Sequence, residues 1–141
     1  MYSVKLRDNR ITVQCNIIKN EKLKFIRAVY DTGAKYSCFR ASYISSSLNE
    51  EEMMGHDEKL LAGFVGTAAS KFYQFHVDRL ALGNVDLGAQ DIWITFDENV
   101  TTNVIGYDIL SQVTRASMAN SGEELFFSSY SELKKYIDLK I

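Results

Sequence analysis

From Ile11 to Ile18 apolar and polar side chains alternate, with Ile11, Val13, Cys15 and Ile17 on one face and Thr12, Gln14 and Asn16 on the other. A period of two marks a half-buried strand. Apolar runs of strand length recur along the chain and end at Gly, Asn or Asp. Lys24 to Tyr30 is rich in Phe, Ile, Val and Tyr and stops at Asp31-Thr32-Gly33, after a turn at Asn20-Glu21. Leu60 to Tyr73, with Gly63 and Gly66 among apolar residues, suits a hairpin with a flexible tip. Phe72 to Leu82 predicts one long strand closed by Gly83-Asn84, and Ile92 to Phe96 another with period two. Val104-Ile105-Gly106 ends a strand, and Glu124 to Phe127 is the last. Many short strands with glycine turns and few helices predict a mainly β domain, barrel-like in shape.

Helical signals are few. Ser42 to Met54 fits a short helix or loop, and Tyr107 to Val113 a short helix directly after Gly106. Ser129 and Glu132 have capping-box spacing, and Leu133, Tyr136, Ile137 and Ile141 follow at helical intervals. This predicts an amphipathic C-terminal helix over about 130–141, docked on the domain or on a partner chain. The 141 residues, with 46% hydrophobic and 24% charged, match one ordinary domain spanning 1–141 with its core over about 11–127. The chain has no proline, so its turns rest on Gly, Asn, Asp and Ser.

Composition also narrows the function. The longest uncharged stretch, Leu60 to Ser70, is eleven residues and contains Gly, Thr and Ser, too short and too polar to cross a bilayer as a helix. Lys5, Arg7, Asp8 and Arg10 leave no room for a signal-peptide core. Sixteen basic and eighteen acidic residues give a net charge of −2, so no field of one sign attracts nucleic acid or a membrane surface. A cytoplasmic location is the expectation.

The strongest chemical signal is Asp31-Thr32-Gly33-Ala34 followed by Ser37. A carboxylate here leaves an apolar strand at a tight glycine turn. The strand holds it, Gly33 allows the sharp turn, Thr32 offers a hydroxyl to fix the loop, and Ala34 is too small to crowd the group. Ser37 is close enough to brace the loop from behind. One such carboxylate does little alone, but two face to face, as like charges about 3 Å apart, share one proton and divide the base and acid roles between them. With a single Asp-Thr-Gly, the second must come from another chain across a two-fold axis.

These residues resemble the retropepsin-type aspartic proteases, the single-domain form of retroviruses and bacteria. Asp31-Thr32-Gly33-Ala34 with Ser37 matches the catalytic loop of that family. Val104-Ile105-Gly106, followed by Tyr107-Asp108-Ile109-Leu110, matches the later element that packs beneath it. Gly63 to Ser70 stands at the position of the flap, and Lys71 to Asp86 resembles the strand and turn that follow. Tyr30 occupies a position that is usually aliphatic in the family. The resemblance spans about Ile11 to Phe127 and implies a closed acid-protease β-barrel with a short helix after the apolar-apolar-Gly loop, here with an added C-terminal helix.

The activity it implies is that of a homodimeric aspartic endopeptidase. Asp31 of each chain would form the dyad, with Thr32, Gly33, Ala34 and Ser37 supporting the catalytic loop. Gly63, Phe64, Val65, Gly66 and Thr67 would form the flap over the substrate, and Val104, Ile105 and Gly106 the second loop. No metal or other cofactor is expected, and the partners would be a second copy of the chain and a peptide or protein substrate. Apolar residues around Ala34, Ile105 and Tyr107 predict apolar side chains flanking the cut. A singly protonated dyad predicts activity that peaks from mildly acidic to near-neutral pH. The alternative is an inactive retropepsin-like module that holds an extended peptide, or a second chain, without cutting.

Other residues read more plainly. Cys15 alternates with core residues, and Cys38 has no positioned histidine to make it a nucleophile. His56 and His76 stand apart from any metal-ligand spacing. Gly83 to Gly88 has glycine spacing without the Lys and Ser/Thr of a phosphate loop. Asn99-Val100-Thr101 is a glycosylation sequon by pattern alone. Glu50 to Glu52 suits a solvated face, and Trp93 a core or interface position.

Overall fold

The computed structural model describes residues 5–7, 10–62, 69–83, 85–113, 129–132 and 134–135. The strands, in chain order, are β1 (Lys5–Arg7), β2 (Arg10–Lys19), β3 (Lys22–Tyr30), β4 (Cys38–Arg40), β5 (Glu58–Leu61), β6 (Ser70–Val77), β7 (Arg79–Leu82), β8 (Val85–Asp86), β9 (Gln90–Thr95) and β10 (Val104–Ile105). Helix α1 is Ala41–Ile44, α2 is Tyr107–Val113, and a 3-10 turn covers Glu50–Met53. The chain is mainly β, as its alternation predicts.

The ten strands form one mixed sheet, ordered β5-β6-β9-β4-β10-β3-β2-β7-β8, with β1 paired to β2. Its pairings are antiparallel except for β10 with β3 and β4 with β9. The expected closure into a barrel is not seen among the described residues. The hydrogen-bonded path is open, with β5 and β8 at its two ends.

The β2–β3 hairpin carries the longest ladder, from Thr12↔Val29 to Lys19↔Lys22. Asn20 and Glu21 turn it with φ of 52° and 67°. Positive φ at both positions is the two-residue turn whose twist suits a hairpin. Val13, Cys15 and Ile17 are buried as their alternation requires. They join Ile26, Ala28, Tyr30, Phe39, Leu80, Leu82, Ile94, Ile105 and Leu110 in the main core.

Two expectations are corrected. The single strand predicted over Phe72 to Leu82 is two strands, because the chain bends at Asp78 and changes partners. The Asp78 N–H donates to the Ile18 carbonyl at 2.9 Å. Its carboxylate accepts from the Asn20 N–H at 2.8 Å. This anchors the bend to the β2–β3 turn. The period-two burial predicted for Ile92 to Phe96 is also absent, since Ile92, Trp93, Ile94 and Thr95 are all buried. β9 lies between β6 and β4, with the main core on one face. On the other a second cluster joins Trp93 to Cys38, Phe72 and Val100.

The predicted flap tip and the strand Glu124 to Phe127 lie outside the described residues. Of the C-terminal helix, residues 130–132 and 134–135 are described and helical. The Glu132 N–H donates to Ser129 Oγ at 3.2 Å, one half of the expected capping box. Tyr130 meets Tyr107 edge-to-face, with ring centroids 4.9 Å apart, so the helix docks on the domain at its first residue.

Candidate active site

β10 is two residues long and sits between the strands that flank the Asp31 loop. It pairs parallel to β3, Val104↔Val29 and Ile105↔Tyr30, and antiparallel to β4, Val104↔Cys38. The chain therefore leaves β3 at Tyr30, arches over the end of β10 through residues 31–37, and returns as β4. The apolar-apolar-Gly element lies beneath the Asp31 loop.

Main-chain bonds fix this stacking. The Asp31 N–H donates to the Ile105 carbonyl at 3.0 Å, the Tyr107 N–H to Ala34 at 2.9 Å, and the Asp108 N–H to Lys35 at 3.3 Å. The amides of the first turn of α2, which no intrahelical carbonyl can satisfy, thus hold the loop. Ser37 ties the two segments from behind, as its position suggests. Its Oγ accepts from the Gly106 N–H at 2.9 Å and donates to Asp108 Oδ1 at 2.6 Å. At the exit of the loop, the Trp93 N–H donates to the Ser37 carbonyl at 3.0 Å.

Asp31 is exposed at the crest of the loop. One carboxylate oxygen, Oδ1, accepts from the Gly33 N–H at 2.9 Å, and its carbonyl accepts from Ala34 at 3.2 Å. A Cβ on residue 33 would stand 3.3 Å from that same Oδ1, so glycine gives the carboxylate room to lie over the backbone. Thr32 and Ala34 are half-buried and Ser37 is fully buried. Asp31, Thr32, Gly33, Ala34, Ser37, Val104, Ile105 and Gly106 therefore converge in one place. Gly63 to Thr67 lie outside the described residues. Of the residues expected near the cut, Ile105 is 0% exposed within the main core, whereas Tyr107 is exposed.

Asp108 is the residue that sequence reading passed over. The sequence places it in the Tyr107-Asp108-Ile109-Leu110 run without a role of its own, yet it accepts from both the hydroxyl and the N–H of Ser37, the latter at 3.0 Å. Burial pushes its carboxyl above the usual carboxylate range, outweighing the opposing hydrogen bonds from Ser37. Asp108→Ala strips two buried donors of their acceptor and is expected to cost about 2–3 kcal/mol in urea denaturation. Asp108→Asn retains an acceptor and is expected to cost under about 1 kcal/mol. Because the folded state binds this proton more tightly than the unfolded chain, Asp108 contributes most to stability when protonated. Its contribution falls as pH rises from about 3.8 through the folded value. The stability of the wild type relative to Asp108→Asn should decline across that window, a difference read from paired denaturation curves.

The other reactive side chains are placed differently. Burial, aided by the Asp108 charge, pushes the Cys38 thiol up to about 12. Burial alone does the same to Cys15. Both are protonated near neutral pH and unsuited to nucleophilic attack. His76 Nδ1 lies 2.9 Å from Asp91 Oδ1 in an exposed pair, and His56 Nδ1 is 3.0 Å from the Gln74 carbonyl. Among the described residues no three His, Cys, Asp or Glu side chains gather as a metal would require. No protein-family model matches the chain, and no curated protein matches it in sequence.

Proposed function

We propose that this chain is one half of a homodimeric aspartic endopeptidase with a retropepsin-like fold. The observation that carries the reading is the stacking of the Asp31 loop on Val104-Ile105-Gly106, joined through Ser37. A turn aspartate on an unrelated β domain has no need of a second loop locked beneath it.

In this reading two exposed Asp31 carboxylates meet across a two-fold axis and share one proton. The ionised carboxylate takes a proton from water, whose oxygen attacks the scissile carbonyl carbon. The protonated carboxyl gives its proton to the carbonyl oxygen, leaving a neutral tetrahedral diol. Collapse breaks the C–N bond as the amide nitrogen gains a proton from the dyad, and a diol hydroxyl proton returns to it. The Gly33 N–H holds one carboxylate oxygen in place throughout. Preorganisation of this kind lets the loop act without rearrangement.

Incubation of the folded chain with a diverse peptide pool from pH 4 to 7, read by mass spectrometry, tests the activity. Cuts strongest in mildly acidic to near-neutral solution are expected. A folded dimer that binds peptides and cuts none would overturn the peptidase reading in favour of the peptide-binding module.

A further inference from the structure

The second apolar cluster lies beside the Asp31 loop, and a cation closes it. Lys59 Nζ stands 5.1 Å from the centroid of Tyr36 and 5.3 Å from that of Trp93. The two rings meet edge-to-face at 5.8 Å. Lys35 Nζ approaches the same Tyr36 ring at 5.5 Å. Tyr36 belongs to the Asp31 loop and immediately precedes Ser37. Lys59 belongs to β5, the strand at one end of the sheet, where Lys59↔Phe72 is part of its ladder to β6. Along the sheet β6 separates β5 from Trp93 on β9, so the lysine side chain reaches where no backbone bond connects them. Trp93 is 6% exposed and Lys59 half-buried. Tyr36 is half-buried as well, and an ammonium shared by a buried and a half-buried ring is held more firmly than one at an exposed site.

We propose that Lys59 is a positioning residue, which clamps Tyr36 and Trp93 and so fixes the Asp31 loop relative to β5. The lysine touches no reacting atom and acts through Tyr36 on the adjoining Ser37, the residue that ties the loop to Gly106 and Asp108. Only the kinetic consequence rests on the peptidase reading. The clamp itself is independent of it.

The test compares wild type, Lys59→Met and Lys59→Arg. Methionine retains an unbranched stem without the charge, and arginine retains a cation that stacks on rings. Trp93 is the single tryptophan of the chain, so its emission reports the clamp directly. In Lys59→Met the emission should shift, and the Ser37 and Cys38 amides should exchange about tenfold faster with solvent, while β2–β3 amides are unchanged. Against a cleaved peptide, kcat should fall about tenfold with KM within about twofold, and arginine should restore it. A merely structural lysine would lower the folded fraction without changing kcat per active site or exchange confined to the loop.

Tyr36→Leu removes the same contact from the loop side. Its loss should not add to that of Lys59→Met in the double variant, and it carries the test if Lys59→Met does not fold. Wild-type exchange at Ser37 and Cys38 in the substituted chain would overturn the proposal. If the wild type cleaves nothing, the peptidase reading fails and the exchange and emission results alone decide the clamp.

Discussion

Gly106→Ala is expected to cost about 3 kcal/mol or more of folding stability and to lower Tm by roughly 10 °C. A Cβ there would stand 2.6 Å from the Tyr36 carbonyl oxygen, 2.8 Å from its carbon and 2.9 Å from the Ala34 oxygen. All three are backbone atoms, so no side chain can rotate away. Moving them would stretch the 2.9 Å bond from the Tyr107 N–H to Ala34 and the 2.9 Å bond from the Gly106 N–H to Ser37 Oγ. The loss would fall on the contact that stacks one loop on the other. Thermal and urea denaturation measure it, and in any folded remainder cleavage should fall further than the folded fraction. A Gly106→Ala chain as stable as the wild type would mean that the two loops are not held as closely as described.

The second large effect is on chemistry with the fold intact. Asp31→Asn keeps an oxygen to accept the 2.9 Å bond from the Gly33 N–H, and Asp31 is exposed, so Tm should stay within about 2 °C of the wild type. The amide can neither take a proton from water nor deliver one to the carbonyl oxygen. Cleavage should fall by about a thousandfold or more, within the range general acid–base groups supply. Full activity in this variant would end the aspartic mechanism, whatever the peptides cut.

Much of this architecture was legible from local pattern. The alternation from Ile11 to Ile18 gives β2 and the face it buries, Asn20-Glu21 gives the turn, and Gly106 followed by an apolar run gives the start of α2. The Asp31 loop was legible because its parts are contiguous, and Ser37 because it lies six positions beyond Asp31. What escaped depends on distant partners. At Asp78-Arg79 two polar residues in a row shift the alternation between Val77 and Leu80, a mark the single-strand expectation overlooked, and the bonds of Asp78 to Ile18 and Asn20 show that one strand becomes two there. Trp93 sits in a strand whose two faces meet different clusters, and no period in its own segment reveals the second one. Asp108 looks like an ordinary acidic residue at the start of a helix, and its role appears only when the sheet brings it 2.6 Å from Ser37 Oγ, across 71 positions of chain. The open path of the sheet was hidden for the same reason, since neither end strand carries a mark of whether it is paired.

The central claim is a site completed by two chains, and mixing tests it most directly. Wild-type and Asp31→Asn chains are combined in equal amounts, unfolded, refolded together, and assayed on a peptide the wild type cuts. If each chain contributes one carboxylate, random pairing leaves about a quarter of the all-wild-type activity at the same total concentration. Activity of about one half, linear in the wild-type fraction, would mean that each chain works alone, and would contradict the shared dyad.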